Sequence, residues 1–240
     1  MWGSMAMARI YVANRQIVRP GDLLAEGDDV KGGDYTYRVG SRVYSSILGL
    51  ANVDNGVVSI IPLEGMNVPR EGDIVIGLVI GVGITNWIID IRGPYKAILN
   101  ANEALESFNP ITDDLRKYLD VGDYIIARVI VFDRTRNPLL TIKGKGLGKI
   151  TEGKVIEVKP SRVPRIIGKR KAMLNILIEE TKCTIIVGQN GRIWIRCPSE
   201  ELEDILVRAI RKIEAEAHIP GLTERIRRFI GEEKRRLGLT

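Results

Sequence analysis

Apolar residues alternate with polar ones in short runs over the first quarter of the chain, and turn-forming residues separate the runs. Three segments have the alternation of half-buried strands: 8–18, 36–47 and 57–62. Between them lie Pro20-Gly21-Asp22 and Asn55-Gly56, in which proline presets φ and glycine accepts a positive φ. The pattern predicts a small N-terminal β domain over residues 1–69, in which residues 1–6 are interpreted as a cloning remnant.

A second series of strands begins after Asp73. Five segments are predicted strands: Ile74–Val82, 86–92, 95–100, 123–133 and 138–143. A longer connection over 101–120, with a short helical piece at 113–119, separates the third strand from the fourth. Five strands within about 70 residues, with a longer connection after the third, are typical of a Greek-key barrel of the oligonucleotide-binding type. We expect this barrel over residues 70–147.

The last part of the chain mixes helices with strands. A predicted strand at 155–158 is followed by helices at 163–167 and 172–181, and then by a hairpin of 183–187 and 192–196. The hairpin turns at Gly188-Gln-Asn-Gly191, where Asn-Gly favours a tight turn. Ser199 is a predicted N-cap of a long helix, and an amphipathic helix over 223–237 ends the chain. These elements predict an α/β domain over 148–240, in a multidomain protein of the β and α/β class.

The charge is concentrated in one part of the chain. The formal net charge is +6, but residues 1–69 carry 6 Lys and Arg against 7 Asp and Glu, and residues 70–143 carry 9 against 10. Residues 144–240 carry 21 against 13, and the segment 149–171 alone carries 8 against 2. A local excess of this kind favours a polyanionic partner.

The composition excludes several classes of protein. Two cysteines, Cys183 and Cys197, cannot build a disulfide framework or a multi-cysteine zinc site, and they favour small buried side chains in a reducing cytoplasm. The longest apolar run, 74–84, is interrupted by glycines and is too short to span a membrane. We therefore expect a cytoplasmic protein without a membrane segment.

No set of residues has the spacing of a catalytic or cofactor site. Around Gly148-Lys149 the sequence departs twice from the phosphate-binding P-loop, and the other glycine clusters lack the third glycine of a dinucleotide fingerprint. The chain has one histidine, His218, and its adjacent carboxylate pairs diverge by about 100° on a helix. We expect no catalytic residue, no metal and no cofactor.

One segment has the chemistry of a phosphate-binding loop. Arg165-Ile-Ile-Gly-Lys-Arg-Lys171 places a glycine turn and three consecutive cations at the start of a predicted helix. Backbone N–H groups at a helix N-terminus and nearby cations suit the phosphates of a nucleic acid. The alternative is a solvated basic turn.

These motifs resemble known RNA-binding modules. The order short helix, Ile166-Ile-Gly-Lys169, helix, hairpin and long helix resembles a type I KH domain, although Lys171 replaces the second glycine of its G-x-x-G loop. Residues 70–143 resemble an S1 RNA-binding barrel. Together with Val18-Arg-Pro-Gly-Asp22 and Gly188-Gln-Asn-Gly-Arg-Ile-Trp-Ile195, the whole chain resembles the S1–KH RNA-binding cap subunits of the archaeal exosome, the ribosomal-RNA-processing protein 4 family.

The resemblance implies a non-catalytic subunit. Three copies would cap a hexameric ring of RNase PH-like subunits and guide single-stranded RNA 3′ ends into its pore for 3′-to-5′ degradation, with the N-terminal domain docked on the ring. RNA-binding residues expected in the barrel are Trp87 for stacking, with Arg92, Tyr95, Lys96, Arg116, Lys117, Arg134 and Arg136. In the KH loop they are Ile167, Gly168, Lys169, Arg170 and Lys171.

Other interpretations stay open. Trp87 is either a stacking residue or a core residue, the loop arginines are either phosphate contacts or solubilising charges, and Trp194 fits packing better than stacking. A ring-independent RNA-binding protein associated with translation or ribosomes would use the same modules. A third hypothesis, a nuclease, has only scattered acidic residues in its favour.

Overall fold

The structure is a computed structural model that describes residues 9–62, 68–133, 136–217, 219 and 221–239. The chain divides into two compact units, Met1–Gly65 and Met66–Thr240. The described residues of the first unit form strands and turns without a helix, and the second unit contains a β-barrel followed by an α/β domain. The multidomain β and α/β class is thereby confirmed, while the domain limits at 69/70 and 147/148 stay predictions.

The first unit consists of two small sheets. Its strands are β1 (Arg9–Ile10), β2 (Ile17–Val18), β3 (Leu23–Glu26), β4 (Lys31–Gly32), β5 (Thr36–Val39), β6 (Arg42–Ser45), β7 (Gly49–Asp54) and β8 (Val57–Pro62). They pair in the orders β1-β3-β6-β5 and β2-β7-β8-β4. The predicted continuous strand at 36–47 is wrong, because Gly40 adopts a φ of +60° and turns the chain back after Val39.

The barrel in the second unit is closed by five strands. They are β9 (Ile74–Val82), β10 (Asn86–Asp90), β11 (Lys96–Asn100), β12 (Tyr124–Val131) and β13 (Leu139–Thr141), and the short β14 (Gly148–Lys149) is added at the edge of β12. The order is β13-β11-β10-β9-β12, and pairing of β12 with β13 closes the barrel. The predicted helical piece at 113–119 is only a 3₁₀ turn, Leu115–Lys117, and it places Leu115 and Leu119 in the barrel core.

The α/β domain follows the barrel in the same unit. Its elements are β15 (Lys154–Glu157), α1 (Val163–Ile167), α2 (Ala172–Thr181), β16 (Thr184–Val187), β17 (Arg192–Arg196), α3 (Glu200–Ala215) and α4 (Leu222–Arg236). The antiparallel sheet has the order β15-β17-β16, and apolar faces of all four helices bury against it or against one another. Ser199 caps α3 by accepting a hydrogen bond from the Leu202 N–H, as predicted. None of the helices in the described part of the chain is long and apolar enough to cross a membrane.

The structure corrects the interpretation of the two cysteines. Cys183 and Cys197, which are 14 positions apart in sequence, form a disulfide with their Cα atoms 4.2 Å apart. The sequence could not show this pairing, because it depends on the register of β16 against β17.

Candidate nucleic-acid interface

A row of aliphatic side chains crosses the outer face of the barrel. In register, Ile88 lies beside Ile98, Ile98 beside Leu139, and Leu139 beside Val131 on β12. Ile88 and Val131 keep 41% and 48% of their surface exposed, and the two middle residues are half-buried. A shallow apolar strip, running across four strands, is therefore accessible to a ligand.

Polar residues border this strip on both sides. Asn86 pairs with Asn100 on one side, and Asp90 pairs with Lys96 on the other. Lys96, one of the expected RNA-binding residues, is exposed. The amides can donate and accept hydrogen bonds, whereas Lys96 can only donate.

A cavity opens beside the strip; one predicted residue, Arg136, lines it, and a second, Tyr95, packs against its lining residue Phe132. It has a volume of about 310 Å³ and is lined by Ile98, Val131, Phe132, Asp133, Arg136, Asn137 and Leu139. Tyr95 packs edge-to-face on Phe132 with ring centroids 4.9 Å apart. Arg136 is exposed at the cavity, and its backbone N–H donates to Asp133 Oδ1 over 3.2 Å. Arg134 lies outside the described residues.

Trp87 does not belong to this surface. Its side chain is fully buried in the barrel core, and its Nε1–H donates to the Leu119 carbonyl over 2.8 Å. The expectation that Trp87 stacks on RNA bases is wrong for this structure. Strand alternation was the sequence feature that could have shown this, because residues two apart on a strand point to the same face. Trp87 lies two residues from the buried Ile89 and pairs with the buried Leu99 on β11.

Arg92 also has a different role from the one expected. It follows β10 with a φ of +54°, and its Nη1 donates to the carbonyls of Val158 and Gly191. Its Nε lies 3.5 Å from Glu157 Oε2. Arg92 therefore joins the barrel to the α/β domain and is occupied by protein contacts.

Arg116 and Lys117 lie on a separate turn. Both are exposed on the 3₁₀ turn after Asp114, whose carboxylate accepts from the Arg116 backbone N–H over 3.0 Å. The turn belongs to the connection between β11 and β12 and not to the strands that carry the aliphatic strip. The structure does not bring these two cations together with Tyr95, Lys96 and Arg136.

The basic loop between α1 and α2 is exposed and has an unusual backbone. Gly168 has a φ of +74°, and a Cβ there would come within 2.7 Å of the Met173 backbone nitrogen, so glycine is required. Arg170 and Lys171 have φ values of +52° and +63°, in the left-handed region that costs a residue with a Cβ about 1–2 kcal/mol. Ile167 is half-buried against the domain core.

The charge of this loop is not neutralised by any of the described residues. Lys169, Arg170 and Lys171 are all exposed, and no ion pair to them occurs in the described part of the chain. Three adjacent cations without an ion-pair partner create a positive potential. An anion that binds there displaces water and does not have to break an ion pair of the protein. The loop therefore has the chemistry expected of a phosphate contact.

Asn190 joins the α/β domain to the barrel, a role that the sequence analysis missed. It is 1% exposed and lies in the Gly188–Gly191 turn, which enters the outer wall of the barrel. Its Nδ2 donates to the carbonyls of Ile76 and Ile91 over 2.8 and 2.9 Å, and its Oδ1 accepts from the Ile76 N–H over 3.2 Å. Gly188 must lack a side chain, since a Cβ would come within 2.5 Å of Asn190 Oδ1.

Arg192 adds a buried ionic contact to the same junction. Its Nη2 lies 2.6 Å from Asp90 Oδ2, its Nε lies 3.0 Å from Glu157 Oε1, and its Nη1 donates to the Asp90 carbonyl over 2.7 Å. Arg192 is only 4% exposed, and its guanidinium lies 5.7 Å from the ring centroid of Tyr124. Because the guanidinium is buried and these bonds are directional, they hold the barrel and the α/β domain in one defined orientation. In the same hairpin Trp194 donates to the Glu152 carbonyl, in keeping with packing.

Two family models match the chain. The one described as the exosome RNA binding protein RRP4 N-terminal domain matches residues 15–64, and a KH domain model matches residues 153–201.

The chain is also similar to curated proteins along almost its whole length. It is 49% identical over 240 residues to exosome complex component Rrp4 of Ignisphaera aggregans, covering 96% of this chain and 95% of the relative. It is 47% identical over 238 residues to exosome complex component Rrp4 of Thermosphaera aggregans, with the same two coverages. A crystal structure described as that of an exosome complex RNA-binding protein is 51% identical with a TM-score of 0.68, covering 72% of this chain and 99% of that chain.

Proposed function

Because this chain belongs to the Rrp4 family of exosome components, we propose that it is the non-catalytic RNA-binding subunit of an archaeal exosome. Three copies cap a hexameric ring of RNase PH-like subunits and guide single-stranded RNA 3′ ends into its pore for 3′-to-5′ degradation. The uncompensated basic loop Lys169–Lys171, in the domain that Asn190 and Arg192 join to the barrel, is the observation that supports RNA binding most directly.

The basic loop binds the RNA backbone in this proposal. Gly168 allows the close approach of α1 to α2 that places the loop at the start of α2, and the three following cations contribute most of the salt-dependent part of the affinity. Lys171 stands where the KH pattern has glycine, so its Cβ limits the closest approach while its ammonium adds a charge-assisted contact.

The barrel binds bases without an aromatic platform. Ile88, Ile98 and Val131 present an aliphatic surface against which a base can pack, and the cavity beside Phe132 can accept a further base. Lys96 and Arg136 then meet the adjacent phosphates. Stacking on an exposed aromatic side chain provides about 1–3 kcal/mol of binding free energy per base. Because Trp87 is buried, it does not contribute this free energy to RNA binding by the barrel.

Salt-dependent RNA binding tests the role of the loop. Labelled single-stranded RNA is titrated with the wild-type chain and with a Lys169→Ala, Arg170→Ala, Lys171→Ala variant at several salt concentrations. Loss of three phosphate contacts should lower the affinity and flatten the slope of log K against log salt by about 2. The control removes three exposed cations elsewhere, Arg19, Lys31 and Arg228. Equal slopes for the two variants would show that the loop does not touch phosphate.

Assembly tests the ring part of the proposal. The chain is mixed with RNase PH-like ring subunits at near-physiological salt and separated by size exclusion. Co-elution in one large complex is expected, whereas failure to associate would favour the ring-independent, translation-associated alternative. Incubation of the purified chain alone with labelled poly(A), Mg²⁺ and phosphate should leave the RNA intact. The cytoplasmic location stays a prediction.

A further inference from the structure

The disulfide closes the hairpin that joins the barrel to the α/β domain. Thr184 and Arg196 form the last pair in the register of β16 and β17, and Cys183 and Cys197 are the next opposed residues, with Cα atoms 4.2 Å apart. The crosslinked segment between them contains the Gly188–Gly191 turn. It therefore contains both Asn190 and Arg192, which bind the barrel.

The two cysteines differ in exposure. Cys183 is 1% exposed and belongs to the apolar core of the domain, whereas Cys197 is half-buried at the open end of the hairpin. A small thiol or disulfide can therefore reach the sulfur of Cys197 more readily than that of Cys183. The more accessible cysteine is the one at which exchange would begin.

Both cysteines have a cationic neighbour in sequence. Lys182 precedes Cys183 and is exposed, and Arg196 precedes Cys197 with its side chain 54% exposed and 3.3 Å from Glu152. Arg196 is paired with Glu152, and adjacent residues of an extended chain point to opposite faces, so these neighbours do not place a positive charge at the sulfur of Cys197. The accessibility of Cys197, and not the charge of its neighbours, therefore favours exchange.

We propose that Cys183 and Cys197 are a reversible thiol–disulfide site, which sets the stability of the hairpin that joins the barrel to the α/β domain. In oxidation, the Cys197 thiolate attacks a low-molecular-weight disulfide, forms a mixed disulfide and releases one thiolate. The Cys183 thiolate then attacks the Cys197 sulfur and releases the second. The two protein thiols are oxidised, the disulfide is reduced to two thiols, and the two protein protons pass to the released thiolates. The proposal does not depend on RNA binding.

Thiol counting in glutathione buffers tests the exchange step. The full chain is equilibrated over a range of ratios of reduced to oxidised glutathione, trapped in acid, unfolded and titrated for free thiols. We expect a reversible transition between two thiols and none, reached from either direction. Two free thiols at every ratio, or none even in excess dithiol, would overturn the proposal.

Thermal unfolding of the same samples tests the structural effect. The oxidised chain should unfold about 6–12 °C above the reduced chain, because the crosslink constrains a loop of about 15 residues in the unfolded state. Cys197→Ser, a change at the half-buried position, should unfold at the temperature of the reduced chain in either buffer. Equal unfolding temperatures for the oxidised and reduced wild-type chain would show that the site does not set stability, whatever the variant does.

Discussion

Replacement of Asn190 by alanine should loosen the junction between the barrel and the α/β domain. The change removes three hydrogen bonds and leaves the N–H and carbonyl of Ile76 and the carbonyl of Ile91 without that partner in a buried site. At about 1 kcal/mol for each bond, the loss is about 3 kcal/mol of the free energy of unfolding. For a unit of this size that corresponds to a fall in unfolding temperature of about 6–12 °C.

Differential scanning calorimetry measures this effect, and hydrogen exchange locates it. The amide of Ile76, which donates to Asn190 Oδ1, should exchange faster in the variant than in the wild type. Asn175→Ala is the matched control, because it truncates the same side chain at an exposed position on α2. If the two variants unfolded within about 2 °C of each other, the junction would not depend on these hydrogen bonds and the reasoning would be refuted.

Three further outcomes follow from the same structure. Trp87→Phe should lower the free energy of unfolding by about 2–3 kcal/mol, because it opens a cavity and leaves the Leu119 carbonyl without its donor. The folded variant should keep the RNA affinity of the wild type, and denaturant unfolding and RNA titration measure the two quantities. Lys171→Gly should raise stability by about 1 kcal/mol in the same unfolding experiment, because glycine accepts a φ of +63°, and an unchanged or lower stability would contradict the strain. Partial burial works to raise the pKa of Asp123, but hydrogen bonds from Lys149 and the Asp120 N–H hold it below its ordinary value. The Asp123–Lys149 pair therefore stabilises the folded state at pH values above the ordinary aspartate pKa, and this contribution should vanish as the pH falls through the pKa of Asp123 in the folded state. An Asp123→Asn variant with the same acid sensitivity as the wild type would count against this role.

Much of the second unit could be predicted from local patterns. Ile74–Val82, Val163–Ile167, Ala172–Thr181 and Arg192–Arg196 have the predicted bounds, because periodicity and flanking turn residues specify each of them within its own segment. The first unit was harder, because its strands are mostly two to four residues long and give little periodicity. The exposed loop Lys169–Lys171 was also predictable, since its glycine and cations are adjacent in sequence.

The candidate site depended more on tertiary contacts. The resemblance to an S1 barrel implied RNA contacts for Trp87 and Arg92, but Trp87 faces the core and Arg92 binds carbonyls of the α/β domain. The aliphatic strip of Ile88, Ile98 and Val131 went unnoticed, because it exists only when four strands are placed in register. The residue type indicates which contacts a side chain can make, whereas strand pairing decides the direction in which that side chain points.

The sequence by itself determined the modules, their order and the segment that carries the positive charge, since each depends on residues close together in the chain. Only the tertiary structure decided how these modules are joined. Asn190 lies 114 residues from Ile76, and Arg192 lies 102 residues from Asp90. The disulfide between Cys183 and Cys197 likewise depends on the register of a folded hairpin. Such contacts form between groups that packing brings together, and no local periodicity encodes them.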